Sequence, residues 1–390
     1  MNILSATNAF KGSPRNVIHL NDAIAEELRN GGHTVETFPI ADGGDGTLTA
    51  FQANLGNARV VMESTILDPL GRSIDAEWLY IPKNSGIVSE DTALIELARA
   101  SGLALLKTEE RNPLVANTRG TGQLIVDAIC HDCKKIELSV GGSGTVDAGM
   151  GLMVALGVKF YDEEGRELLP NGANLEKIRS IDISIAEGWL KGRKIEFLSD
   201  VKTPLRNPDP HGNNVMLYTT QKFSNPNGNN NVGKEILNRG MDNIARIVDG
   251  IAGRPASTEK STGAAGGAPY MPIALLRASV VSGIDRMAKM FNLEDRVERA
   301  DIVITGEGFL DEQTLEGKGP AKLIELGRKH NKKVVVVCGG ADDNITWKNH
   351  GVDLVIKINP PDTDLQTSIA NTEPFLREAI RANMAKIEAL

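Results

Sequence analysis

Five stretches of this 390-residue sequence carry side chains that can handle phosphate, a hydroxyl group or a divalent cation. The first is Phe10-Lys11-Gly12-Ser13. Lys11 stands just ahead of a predicted helix, where the N-terminus favours anions, so it can neutralise phosphate or carboxylate. It can equally be a solvent lysine beside a capped helix. The second is Asp42-Gly43-Gly44-Asp45-Gly46-Thr47. Its glycines let backbone approach a ligand closely, and its two carboxylates suit Mg²⁺ held through water. A plain turn would need fewer glycines. The third is Gly141-Gly142-Ser143-Gly144-Thr145-Val146-Asp147-Ala148-Gly149-Met150-Gly151. It leaves a predicted strand and opens a predicted helix, so its amides can cradle phosphate oxygens. Close packing of a small-residue helix on a sheet is the alternative. The fourth is Asp200, directly after an apolar strand pattern, a place for a carboxylate that takes a proton from a hydroxyl or for a turn residue bonding its own backbone. The fifth runs Thr305-Gly306-Glu307-Gly308-Phe309-Leu310-Asp311-Glu312-Gln313-Thr314 and ends at Gly317-Lys318-Gly319, gathering carboxylates and one lysine. One such stretch is decoration; several in one chain favour an anion-and-metal site.

The elements that must position these residues are α/β in pattern. Strands are predicted at 2–7, 34–40, 136–140, 195–199, 301–305, 334–337 and 354–358. Val17, Asn21, Ile24 and Leu28 share a helical face, with Ser13 as the predicted cap and Pro14 at the first position. Strand, helix and strand over 2–40 imply a parallel pair with a right-handed crossover. Residues 58–66 and 72–81 alternate like a hairpin around Asp68-Pro69-Leu70-Gly71. Helices are predicted near 91–100, 121–131, 147–156 and 234–250, across 271–293 and from about Pro320. Residues 223–233, rich in Asn, Pro and Gly, read as an exposed loop, and the stretch after Thr305 reads as a Gly-rich acidic loop. Neither chain end holds enough strands for a sheet alone. The expectation is a discontinuous, mostly parallel Rossmann- or flavodoxin-like α/β domain from 1–65 and 285–390, with 66–284 inserted as a second α/β domain.

Composition narrows the function classes. A formal net charge of −8 and 4% aromatic residues argue against a nucleic-acid face or base-stacking platform. No apolar run approaches the ~20 residues that span a bilayer. The N-terminus reads as a first strand and not a signal peptide, so a cytoplasmic protein is expected. Cys130 and Cys133 lack the second pair that a zinc or redox reading needs, Cys338 reads as core, and the six histidines show no zinc-hydrolase spacing.

At the five stretches the chain resembles the glycerate kinase family of the bacterial type that includes glycerate 2-kinases, nearly end to end and in motif order. Phe10–Ser13 is similar to that family's opening motif. Ala41–Thr47 is similar to its Ala-Asp-Gly-Gly-Glu-Gly-Thr loop, with Asp45 in place of Glu. Gly141–Gly151 resembles its Gly-Gly-Ser-Ala-Thr-Asn-Asp-Gly-Gly segment. Thr305–Thr314 with Gly317-Lys318 resembles its Thr-Gly-Glu-Gly-Arg-Leu-Asp-x-Gln-Thr stretch. The chain departs at Asn8 (usually Asp), Val146 (Asn), Thr203 (Asn before Pro-Leu) and Phe309 (Arg).

The resemblance implies ATP and Mg²⁺, glycerate as acceptor, a phosphoglycerate product that is usually the 2-phosphate, and a cleft between two α/β domains. Phosphoryl transfer asks for positioning and charge neutralisation. On that basis the expected nucleotide contacts are Gly141, Gly142, Ser143, Gly144 and Thr145. Lys11 and Lys318 neutralise phosphate or carboxylate. Asp42, Gly43, Gly44, Asp45, Glu307 and Asp311 face the substrate, with Asp45 and Asp311 as metal candidates, and Asp200 is the candidate base. The rivals are a kinase for another small hydroxy acid and a non-catalytic sensor of a phosphorylated metabolite.

Overall fold

A computed structural model describes the chain except residues 11, 208–218, 225–229 and 316–318 and the side chain of Gln313. Lys11 and Lys318 therefore lie outside the described residues, as do residues 225–229 of the predicted loop. Thirteen strands are formed among the described residues: β1 (Asn2–Ser5), β2 (Thr34–Thr37), β3 (Val60–Leu67), β4 (Ser73–Ile81), β5 (Thr92–Glu96), β6 (Lys135–Ser139), β7 (Lys159–Tyr161), β8 (Ser180–Asp182), β9 (Lys194–Leu198), β10 (Ser279–Val281), β11 (Ile302–Leu310), β12 (Lys333–Ala341) and β13 (Leu354–Lys357). The described chain divides into two compact units. One comprises Met1–Asp42, Gly46–Gly56 and Ser282–Leu390, the other Gly43–Asp45 and Asn57–Val281. The boundary expected between residues 65 and 66 falls inside β3, which pairs along its length with β4.

The first unit holds a five-stranded, all-parallel sheet in the order β13-β12-β11-β1-β2. Strands from both chain ends alternate there with helices, as crossovers between parallel strands require. The helix Val17–Asn30 buries Val17, Asn21, Ile24 and Leu28. Buried Asn21 ties this helix to the sheet: its Oδ1 accepts from Ser5 Oγ (3.0 Å) and the Thr7 amide (3.1 Å), and its Nδ2 donates to Val17 O. The cap is Asn16, not the predicted Ser13, because Asn16 Oδ1 takes the amides of Ile18 and His19. Ser13 Oγ accepts instead from the Arg15 amide, a local turn that ends before the helix begins. The predicted loop after Thr305 is also corrected. β11 runs on to Leu310, pairing with β12 as far as Ala341, because Gly306 carries no side chain to strike Val337 O.

The second unit holds a six-stranded sheet, β10-β9-β6-β5-β4-β3, parallel from β10 to β5 and antiparallel from β5 to β3. β7 and β8 form a small antiparallel pair. The helix predicted over 91–100 is mostly β5, with a short helix only at Ala98–Ser101. Thr92-Ala93-Leu94-Ile95-Glu96 is buried throughout, and an apolar run buried on both faces carries no period to separate strand from helix. The helix predicted across 271–293 is likewise broken, into Tyr270–Leu275, β10 and Gly283–Met290. The helix predicted from 147 begins at Met150.

Candidate active site

In open α/β sheets ligands gather beyond the carboxyl ends of parallel strands, where strand order reverses. In the second unit β6 and β9 are parallel neighbours. The Gly141 loop leaves the end of β6, and Ser199-Asp200 leaves the end of β9. The Gly43–Asp45 turn packs on both. Gly43 O accepts from the amides of Val140 (3.2 Å) and Gly141 (3.1 Å). A methyl group on Gly43 would strike Leu198 O, one on Gly141 would strike the Gly44 backbone, and one on Gly142 would strike Asp45 Oδ1. Gly43 and Gly142 also have left-handed φ of 91° and 67°, which glycine adopts at no steric cost. Asp45, Gly142 and the Asp200 end of β9 are thus gathered beyond the carboxyl ends of β6 and β9.

The five loop residues are not equivalent. The Gly141 amide goes to Gly43 O and the Gly144 amide to Ser101 O (2.8 Å). Gly142 is exposed, whereas Ser143, Gly144 and Thr145 are buried. Among the described residues the amides of Gly142 and Ser143 meet no acceptor, and of the two only Gly142 is exposed. Behind it, buried Asp147 accepts from the Thr118 amide and hydroxyl (both 2.8 Å), the Gly151 amide (3.0 Å) and the Gly149 amide (3.2 Å). Burial holds its carboxyl above the usual carboxylate range, against the pull of these donors.

Two features around this loop escape sequence reasoning. Lys222, in the short turn Thr220–Lys222, is 3% exposed, and its Nζ donates to Ser143 Oγ and Thr145 O, both at 2.8 Å. Burial pushes its ammonium down to about 7. Its neighbours Gln221-Lys222-Phe223-Ser224 look like solvent loop, so no sequence signal marks it. The second is Gly263-Ala264-Ala265-Gly266-Gly267. Gly266 O accepts from the Ala148 amide (3.1 Å), and a methyl group on Gly266 would strike Thr145 O. Its density of small residues is a visible signal.

In the first unit, the strand order reverses between β1 and β11. The Asn8 amide donates there to Gly306 O (2.9 Å), beside Glu307 on β11. Asn8 Nδ2 donates to Asp42 Oδ2 (3.1 Å). Gly319, which opens the helix Gly319–Lys329, lies close to Ile40 and to the Asn8 amide group. Asp311 caps the short helix Glu312–Leu315: Oδ1 accepts from the Thr314 amide (3.2 Å), and Thr314 Oγ1 accepts from the Asp311 amide (3.1 Å). Asn8 and Asp42 thus meet next to Gly306 and Glu307 within β11, while half of Asp311's carboxylate is engaged as a cap. Phe309 is 56% exposed.

Mg²⁺ prefers oxygen ligands and is commonly held by one or two carboxylates plus substrate phosphates. Among the described residues no three or more of His, Cys, Asp and Glu cluster for a metal. Asp45 against the Gly142 turn fits the one-carboxylate arrangement. Cys130, Cys133 and Cys338 are free thiols, and burial pushes both Cys133 and Cys338 up to about 12. No helix of the described residues is long and apolar enough to cross a membrane.

The family model described as "Glycerate kinase family" matches residues 3–388. A glycerate kinase of Bacillus subtilis (strain 168) is 30% identical, covering 100% of this chain and 98% of that protein. A glycerate 2-kinase of Escherichia coli (strain K12) is 33% identical, covering 82% of this chain and 80% of that protein. A crystal structure from Salmonella typhimurium LT2, assigned as a glycerate kinase 2, superposes with a TM-score of 0.79 at 28% identity, covering 100% of this chain and 98% of that one.

Proposed function

The chain belongs to the glycerate kinase family, and from that premise we propose that it transfers the γ-phosphoryl group of ATP to a hydroxyl of glycerate. The observation that carries the reading of the site is the packing of the Gly43–Asp45 turn against Gly141–Gly142 and the end of β9. In this reading the amides of Gly142 and Ser143 receive nucleotide phosphate, while Gly141, Gly144 and Thr145 hold their backbone in place. Asp200 takes the proton of the acceptor hydroxyl as its oxygen bonds to phosphorus and the bond to the ADP oxygen breaks. Asp42, Gly43, Gly44, Asp45, Glu307 and Asp311 contact or frame the substrates, and Lys11 and Lys318 neutralise phosphate or carboxylate. Asp45 and Asp311 are the candidate ligands for Mg²⁺, which when bound neutralises charge on the transferred phosphate. The product is proposed to be 2-phosphoglycerate. The two-domain reading with the middle of the chain inserted, and a cytoplasmic location where ATP is abundant, belong to the same proposal.

The Asn8–Asp42 hydrogen bond supports a second reading. A neutral amide stands where the resembling motifs usually place a carboxylate, and this favours a related hydroxy acid as acceptor. A coupled ADP-release screen over D-glycerate and related hydroxy acids tests both. Turnover with glycerate and a product that phosphorus NMR identifies as the 2-phosphate is expected. Turnover confined to another hydroxy acid selects the second reading. Tight binding of a phosphorylated metabolite with no ADP release from any acceptor defeats both and leaves a sensor.

A further inference from the structure

A lysine is rarely buried without a reason, since its ammonium loses hydration. Lys222 is 3% exposed, yet its Nζ donates to the two residues that flank Gly144. Ser143 Oγ offers a side-chain oxygen and Thr145 O a backbone one, so the ammonium clamps both arms of the turn. The carboxylate whose charge acts on it is Asp147, farther along the same loop. Asp147 already accepts four hydrogen bonds from Thr118, Gly149 and Gly151, and Lys222 is not among its donors. The two buried groups therefore brace different parts of the loop.

We propose that Lys222 is a positioning residue for nucleotide binding: from beneath the Ser143–Thr145 turn it fixes the Gly142 and Ser143 amides towards phosphate and adds one buried positive charge behind them. The inference rests on the reading that this turn receives nucleotide phosphate. Lys222 is buried behind the turn, so it acts through the loop and does not touch the ligand. A purely structural lysine would support the fold without distinguishing a phosphorylated ligand from an unphosphorylated one.

The test compares ADP with adenosine by calorimetry at pH 6, below the point at which the ammonium titrates, in wild type, Lys222→Met and Lys222→Arg. Lys222→Met should weaken ADP on the order of 10- to 100-fold, the range for lost hydrogen bonds to a charged group. Adenosine affinity should stay within about threefold, and Lys222→Arg, which keeps charge and donors, should recover part of the ADP affinity. Equal losses for ADP and adenosine, or unchanged ADP affinity in Lys222→Met, overturn the inference. If Lys222→Met does not fold, Ser143→Ala removes one of the ammonium's two acceptors, and unchanged ADP affinity there is equally fatal. Amide hydrogen exchange over 141–145 in the wild type, with and without ADP, examines the underlying reading separately. No slowing there removes the phosphate turn itself, whereas slowing with unaltered Lys222→Met binding removes only the lysine's part.

Discussion

Asp147 offers the sharpest separation of structure from chemistry, because it lies in the most motif-like loop yet is wholly buried. Asp147→Ala would strip the acceptor from three backbone amides, of Thr118, Gly149 and Gly151, and from the Thr118 hydroxyl. The hydroxyl can turn elsewhere; the amides cannot. Each buried donor left unsatisfied costs roughly 1–3 kcal/mol, so three amount to about 3–9 kcal/mol. Removing a desolvated carboxylate returns part of that, and breaking a buried charged network typically costs about 3–5 kcal/mol net. Asp147→Asn behaves differently. Its amide oxygen can replace Oδ2, which serves Thr118 and Gly151, while its NH₂ faces the Gly149 amide donor to donor. The Gly149 amide left unsatisfied predicts about 1–3 kcal/mol. Urea unfolding at pH 7, with a check that the slope is unchanged, measures both. The expected order of stability is wild type, then Asn, then Ala. An Ala variant within about 0.5 kcal/mol of wild type refutes the reasoning, as does an Asn variant less stable than Ala. Collapse of turnover at unchanged stability would mean that Asp147 meets the substrate.

Asp200→Asn keeps size but removes the proton acceptor. A kcat loss of roughly 100-fold or more with nucleotide affinity unchanged is expected; weaker nucleotide binding rescued by excess Mg²⁺ would make Asp200 a metal ligand instead, and an unchanged kcat would make it a turn residue. Asp42→Asn with Asp45→Asn should abolish most turnover while the melting temperature hardly moves, and normal turnover at limiting Mg²⁺ would reduce that loop to structure. Lys222 makes stability depend on pH. Its ammonium titrates at about 7 when folded against an ordinary 10.5, so between those values the unfolded chain holds more protons and stability rises with pH. The burial cost is fully present below about 7 and is relieved above it, at up to about 1.4 kcal/mol per pH unit. Wild type should therefore gain about 1–3 kcal/mol on Lys222→Met between pH 7 and pH 9 in urea unfolding; a constant gap contradicts this.

The sheet strands are legible where apolar runs are bounded by turn residues, as at β1, β6, β9 and β12. The hairpin is legible from alternation and its Asp-Pro-Leu-Gly turn, and β3 and β4 pair antiparallel around it. β5 is not, because burial on both faces erases the period that separates strand from helix. The split of the five-stranded sheet between chain ends is readable because neither end has strands enough. Asn16 displaces Ser13 as cap for a reason that composition does not carry: Pro14 and Arg15 form a turn first, so helical geometry starts three residues later. Lys222 is invisible because its meaning lies in contacts with Ser143 and Thr145, more than seventy residues away.

The glycines are where sequence and structure speak most differently. Glycine-rich loops after strands read as room for a ligand, yet most of that room is filled by other backbone. A side chain on Gly43 would meet Leu198 O, one on Gly141 the Gly44 backbone, one on Gly151 the amides of Thr118 and Arg119, and one on Gly266 Thr145 O. These glycines let loops pack on loops at main-chain distance. That packing is what carries Asp45 to Gly142 and both to the end of β9, so the link from glycine to chemistry is indirect. Gly46 is the contrasting case, since a methyl group added there would meet nothing within 4 Å. It should be replaceable by Asn, a residue that tolerates its φ of 83°, at far smaller loss of turnover than Gly43. Gly43→Asn must displace the β9 end on which Asp200 stands. If the two variants lose kcat equally, close backbone packing is not what these glycines are for.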